Sequence, residues 1–283
     1  MLAFGAAMFF TDYSVSPTEL GQTLEQRGFD SVWAPEHSHI PLSRKSPFPG
    51  GGDLPKKYYD TMDPFVTLTA VAMATKTLKI ATGVCLVAQR DPIQTAKLVA
   101  SIDQISGGRF LFGVGNGWNQ DELENHGIPF TSRHKAARER IEAMKALWTQ
   151  SKAEYHGEFV NFDPVMTWPK PVQKPHPKVI VGGAFPYSAR RAIRYGEGWL
   201  PQTRGGADLL AVIPEFRKMA TEAGRDPDQI EITVWAPRQE ADLLKRYADL
   251  GVKRVIFSLE SETLEKLAPV MDGLGKLMHQ VNS

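Results

Sequence analysis

The chain has 283 residues, 42% of them hydrophobic, with a formal net charge of +1 and one cysteine. That length and apolar content suffice for one large core, and so weak a charge supplies no field to gather nucleic acid or an anionic membrane. The lone Cys85 excludes an internal disulfide framework and fits a reducing compartment, and no apolar run reaches the ~20 residues of a membrane span, so a cytoplasmic protein is expected.

Taken in chain order, the apolar start at Ala3–Met8 reads as a strand, followed by helical spacing over Pro17–Arg27. The second strand, Ser31–Ala34, leads into Pro35–Asp63, a long loop with a Pro47–Gly52 turn cluster and the bases Arg44, Lys45, Lys56 and Lys57. A helix over Pro64–Thr75 precedes the strand Lys79–Val84, and a helix over Pro92–Ile105 precedes the strand Arg109–Val114. A helix over Arg133–Ser151 then gives way to Tyr155–Pro177, whose prolines at 164, 169, 171, 175 and 177 forbid helix and predict an extended, hairpin-like excursion over the barrel wall. Lys178–Val181, Gly198–Pro201, Glu231–Trp235 and Lys253–Ser258 complete a set of eight strands. Strands alternating with helices eight times predict a single-domain (β/α)8 TIM barrel over residues 1–283, with excursions at 35–63 and 155–177.

Such a barrel carries its chemistry where the strands end. Those ends present Phe9 and Phe10; Pro35, Glu36 and His37; Gly83, Val84 and Cys85; Gly115, Asn116, Gly117 and Trp118; Gly182 and Gly183; Gln202; Trp235; and Ser258 with Glu260. The strand lysines 79, 178 and 253 stand at the wrong end for a Schiff base. His37 and His39 find no partner ligands on the later strands, so no metal is expected. Nothing places Glu36 and Glu260 as the facing pair of a glycosidase. Glycines and aromatics suit instead a flat ring with a phosphate tail, because a redox cofactor brings its own reactive atom. The Gly182-Gly183 turn ahead of a helix near Pro186–Tyr195 is the expected phosphate cradle.

Ser106-Gly107-Gly108-Arg109, continuing to Gly113-Val114-Gly115-Asn116-Gly117-Trp118, resembles the signature of the luciferase-like (bacterial-luciferase-type) oxidoreductases. Trp33-Ala34-Pro35-Glu36-His37, Arg90-Asp91-Pro92 through Ala96-Lys97, and Gly196-Glu197-Gly198-Trp199 resemble further motifs of that family, in order; Glu197 stands at its usual Asp position. The resemblance implies an eightfold barrel and one of two cofactors. One branch uses FMN and oxygen for monooxygenation, often with a partner reductase; the other uses coenzyme F420, a deazaflavin that carries hydride. Asn119–Gly127 and His37 are more similar to the deazaflavin branch.

The resemblance assigns roles as follows. His37 acts near the hydride-carrying carbon as an acid or orienter, and Glu36 fixes its tautomer or donates the proton. Gly83 and Val84, joined by a cis bond in a bulge, buttress the ring. Gly115, Asn116 and Gly117 pass beside the cofactor's side chain, and Trp118 walls the pocket. Gly182 and Gly183 hold the phosphate, with Arg190 or Arg191 near, and the loop bases meet an oligoglutamate tail. The expected function is F420-dependent hydride transfer to or from a small organic substrate, in a homodimer packed through Pro64–Thr75 and Pro92–Ile105. FMN-dependent monooxygenation is the alternative; a non-catalytic flavin-binding protein and a cofactor-free lyase or isomerase are lesser ones.

Overall fold

The computed structural model describes residues 1–202 and 208–283. Its strands are β1 (Ala3–Ala7), β2 (Ser31–Ala34), β3 (Lys79–Thr82), β4 (Cys85–Leu86), β5 (Phe110–Gly115), β6 (Ala153–His156), β7 (Asn161–Val165), β8 (Val179–Ala184), β9 (Gly198–Gln202), β10 (Glu231–Trp235) and β11 (Val252–Ser258). All but β6 and β7 form one parallel sheet, in the order β3-β2-β1-β11-β10-β9-β8-β5, and a β3–β5 pairing closes it into a barrel of eight staves. β3 and β4 together make one stave. Four steps from Ala81 to Cys85 face three from Leu111 to Val114, so one extra residue bulges out there, and the Gly83–Val84 bond within it is cis. The antiparallel β6–β7 pair supplies the expected hairpin of the proline-rich excursion.

Helices α1 (Pro17–Gln26), α2 (Pro64–Ala74), α3 (Pro92–Ile105), α4 (Gln120–Asn125), α5 (Arg133–Thr149), α6 (Tyr187–Tyr195), α7 (Leu209–Glu222), α8 (Ala241–Asp249) and α9 (Leu264–Asn282) lie outside the sheet. Ser16-Pro17, Asp63-Pro64 and Asp91-Pro92 start the first three: each side-chain oxygen accepts from a first-turn N–H, and proline takes the next position at no hydrogen-bond cost. Each stave contributes one apolar residue to a cluster in the lumen: Ala7, Trp33, Ala81, Leu111, Ile180, Leu200, Trp235 and Ile256. The larger apolar layer lies between staves and helices, so the barrel is a packed core and only its mouth is open.

Two family motifs prove to be fasteners. Arg109 donates to the carbonyls of Ala72, Thr75 and Leu78, capping the end of α2 and tying it to β3. Glu197 accepts from Lys145 Nζ at 2.6 Å and from Val179 N–H at 3.0 Å, joining α5 to β8. No helix among the described residues is long and apolar enough to cross a membrane.

Candidate active site

At the strand C-termini opens a cavity of about 400 Å3. Met8, Phe9, Gly83, Val84, Leu86, Trp118, Leu200 and Trp235 wall it, with Pro35, Glu36 and His37 on one side and Lys57 and Tyr58 of the long loop on another. Clefts of about 600 Å3 lie beside the end of β10 and between α6 and α7, but neither contains His37 or any of the glycines. Chemistry, not size, marks the site. Around His37 the rings of Tyr58 and Trp118 stand 5.3 and 6.0 Å away, and Phe48 packs on both at 5.3 and 5.9 Å.

His37 Nδ1 lies 2.8 Å from Oε2 of Glu122, and both side chains are almost wholly buried. Glu122 was not foreseen as a partner. It reaches the site from α4, the short helix that follows the Gly115–Trp118 run, and its other oxygen accepts Ser38 N–H at 3.3 Å. Glu36 does not take the tautomer-fixing place expected of it. Its Oε2 accepts Leu86 N–H at 2.7 Å and its Oε1 accepts Arg90 Nε–H at 2.5 Å, so the carboxylate points into the β2–β4 junction. Burial works against the Arg90 charge, but Glu36, Cys85 and Asp63 together outweigh it and raise the pKa of Arg90. Glu36 and Arg90 therefore clamp the bulge carrying Val84.

The long loop is held down by α4. Asp121 accepts from Ser43 Oγ and from Lys45 N–H, both at 2.8 Å, and Ser46 Oγ accepts Gln120 N–H. Ser38 Oγ lies 2.9 Å from His39 Nδ1 and 2.8 Å from His126 Nε2, which gives those two histidines a place in the loop's attachment. The loop bases have partners within the chain: Lys45 with Glu124, Lys56 with Asp60, Lys57 with Glu260, and Arg44 with the Tyr59 hydroxyl.

Of the predicted cofactor-contacting residues, Gly83, Val84 and Trp118 line the cavity, whereas Gly115, Asn116, Gly117, Gly182 and Gly183 do not. Gly115 and Gly182 lie directly behind Val84. A Cβ on Gly115 would stand 2.4 Å from Val84 Cγ2, and one on Gly182 would stand 3.3 Å from Val84 Cγ1, so the two glycines make room for the valine. Gly182 and Gly183 are not a turn. β8 runs through both and pairs them with Leu200 and Pro201 of β9, and α6 begins only at Tyr187. Gly183 keeps a φ of +135°, and a Cβ there would meet Arg191 Nη2 at 3.1 Å, so its bare backbone lets the guanidinium lie alongside the strand end.

Arg191 belongs to a cationic cluster. Asn116 Nδ2 and His134 Nδ1 are 2.6 Å apart, and His134 follows Arg133 at the start of α5. Although part of His134 faces solvent, burial of its ring, then the charges of Arg133 and Arg191, push it down to about 4. Burial, then Arg191, lowers Arg133, and burial lowers Arg191. The Nε atoms of both arginines are buried without a hydrogen-bond partner, and neither arginine has a carboxylate partner among the described residues. Two half-buried guanidiniums without a carboxylate partner among the described residues are chemically suited to an anion such as phosphate. Arg190, the other candidate, faces away among Glu215, Met219 and Glu222.

An aromatic cavity thus opens at the mouth of an eightfold barrel, and a cationic cluster stands beyond the glycines behind Val84. The luciferase-like monooxygenase family model matches residues 16–240, and the chain belongs to that family. It is 39% identical over 281 residues to an uncharacterised protein of Mycobacterium tuberculosis, 96% of each chain being covered. It is 31% identical over 169 residues to an FMNH2-dependent dimethylsulfone monooxygenase of Pseudomonas putida, covering 58% of this chain and 46% of that one. The fold superposes on the coenzyme F420-dependent tetrahydromethanopterin reductase of Methanopyrus kandleri with a TM-score of 0.72, 18% identity and 97% coverage of both chains. Its relatives and structural neighbours thus include both F420- and FMN-dependent enzymes.

Proposed function

We propose that this protein is an F420-dependent oxidoreductase that moves a hydride between the deazaflavin and a small organic substrate. The observation that carries this reading is the carboxylate-backed imidazole of His37 in the wall of an aromatic cavity. A hydride leaving or reaching a carbon that bears oxygen must be matched by a proton, and a histidine in contact with the substrate is suited to hold it. The residues present fit the cofactor. The ring would rest on Val84 in its bulge, between Leu86 and Trp235, and the phosphate would meet Arg191, Arg133 and His134. When bound, the deazaflavin supplies the carbon that takes or gives the hydride.

The chain's own residues do the rest. Glu36 and Arg90 hold the bulge, and Trp118, Tyr58 and Phe48 exclude water. His37 takes up or returns the proton. Few charges reach the cavity unpaired, which suits an apolar or planar substrate. The cationic cluster would receive the phosphate of FMN as well, and the Pseudomonas relative is FMNH2-dependent, so FMN-dependent monooxygenation with a partner reductase is the second reading. A cytoplasmic homodimer completes the proposal: Val66 and Met73 of α2 and Leu98 of α3 are exposed apolar residues on adjoining helices, and the molar mass in solution tests it.

Titration of the purified protein with coenzyme F420 and, separately, FMN, followed by fluorescence, tests the function. Preference for F420 by tenfold or more, ~1.4 kcal/mol, is expected. Preference for FMN moves the protein to the second reading, and binding of neither overturns both.

A further inference from the structure

We propose that Glu122 is a positioning residue that locks His37 as the Nδ1–H tautomer, leaving the Nε2 lone pair as the proton acceptor in the cavity. The role assigned to that lone pair rests on the function proposed above; the tautomer itself does not. Both groups are nearly sealed from water, with side chains 6% and 1% exposed, so bulk solvent does not choose the proton's place. A carboxylate is an acceptor on both oxygens. Oε1 of Glu122 already accepts Ser38 N–H, and Oε2 faces His37 Nδ1 at 2.8 Å. A neutral imidazole carries a single ring proton, and a hydrogen bond to a carboxylate oxygen requires it on the nitrogen that faces that oxygen. Nδ1 therefore donates. The ring's other nitrogen has no bonding partner among the described residues, and the ring lines the cavity.

Glu122 is itself held in place. It sits in the first turn of α4, where Asn119 caps the helix by accepting Glu122 N–H, and Asp121 and Gln120 bind the long loop on either side. Neither His37 nor Glu122 can turn without breaking a buried hydrogen bond. In the oxidative direction the balance is simple. A bound oxidised deazaflavin would supply the hydride acceptor for the substrate's C–H, the O–H proton would go to Nε2 of His37, and the C–O bond would become a carbonyl. The imidazolium so formed keeps its Nδ1–H on the Glu122 carboxylate, which stabilises the positive charge. A neutral amide in place of Glu122 would fill the same space and reverse the arrangement. Its oxygen would accept Ser38 N–H, and its NH2 group would then donate to Nδ1, forcing the ring proton onto Nε2.

The test is nitrogen NMR of the full chain labelled with 15N-histidine, at a pH where imidazoles are neutral, with the His37 signals assigned from a His37→Gln variant. Seven histidines keep the spectrum readable. In the unaltered protein His37 is expected as the Nδ1–H form, and in Glu122→Gln as predominantly the Nε2–H form, a reversal of at least tenfold in tautomer ratio. An Nε2–H form in the unaltered protein overturns the proposal, as does a folded Glu122→Gln variant that keeps Nδ1–H. Should that variant fail to fold, the tautomer of the unaltered protein still decides. The readout needs no cofactor, so failure to bind F420 would sink the proposed function and leave this result standing.

Discussion

Replacing Glu36 with glutamine should destabilise the protein by about 3 kcal/mol. The magnitude follows from the clamp. Glu36 is 4% exposed and accepts two charge-assisted hydrogen bonds, from Leu86 N–H at 2.7 Å and Arg90 Nε–H at 2.5 Å. Removing one partner of a buried ion pair costs about 3–5 kcal/mol, because the remaining charge stays buried. The lower end applies, since Arg90 retains Asp63 at 2.6 Å and a glutamine oxygen can still serve Leu86. Set against the roughly 5–15 kcal/mol total of a folded domain, the loss is plain in a urea unfolding curve. A double-mutant cycle with Arg90→Met should recover most of the penalty as coupling. A loss below about 1 kcal/mol would refute the clamp, and a variant of unchanged stability with abolished turnover would return Glu36 to the chemistry.

Arg191→Leu should weaken FMN binding at least tenfold, ~1.4 kcal/mol, and leave riboflavin, which lacks the phosphate, nearly unaffected; equal losses for both ligands would remove the anion site from that residue. His134 has its folded pKa depressed to about 4, below the ordinary 6.5, so the unfolded chain binds more protons between those values. Its contribution to stability is therefore full above about pH 6.5 and is lost as pH falls towards 4. Urea midpoints at pH 7, 5.5 and 4.5 should fall less steeply in a His134→Gln variant, and parallel curves would contradict the assignment.

The staves and the first helices were legible because their signals are local. Apolar runs bounded by Asp-Pro or Ser-Pro pairs need no distant partner, and β2 and β10 fall on their predicted bounds. The site was legible only where strand ends line the cavity themselves, as His37, Val84 and Trp118 do. Glu36 misled because it adjoins His37, yet neighbours in extended chain send their side chains opposite ways. The carboxylate that serves His37 is 85 positions along, and nothing in a single sequence joins the two. Arg190 and Arg191 illustrate the same geometry on a helix, where one step of about 100° separates a solvent face from the strand end. Arg109 and Glu197, conspicuous in the family's motifs, fasten helices to staves, so the resemblance rested partly on carpentry remote from the chemistry.

Six residues of α4 hold two things at once: Glu122 grips the His37 imidazole, while Gln120 and Asp121 grip the loop that roofs the cavity. A motion of α4 would therefore be felt at both, and such linkage is reciprocal. If His37 is the proton acceptor proposed above, lifting the loop from α4 would loosen the carboxylate behind it, and holding that carboxylate would favour the closed loop. An open site is then a disarmed one. On the proposed function, the same six residues would keep the proton acceptor from working while water has access to it.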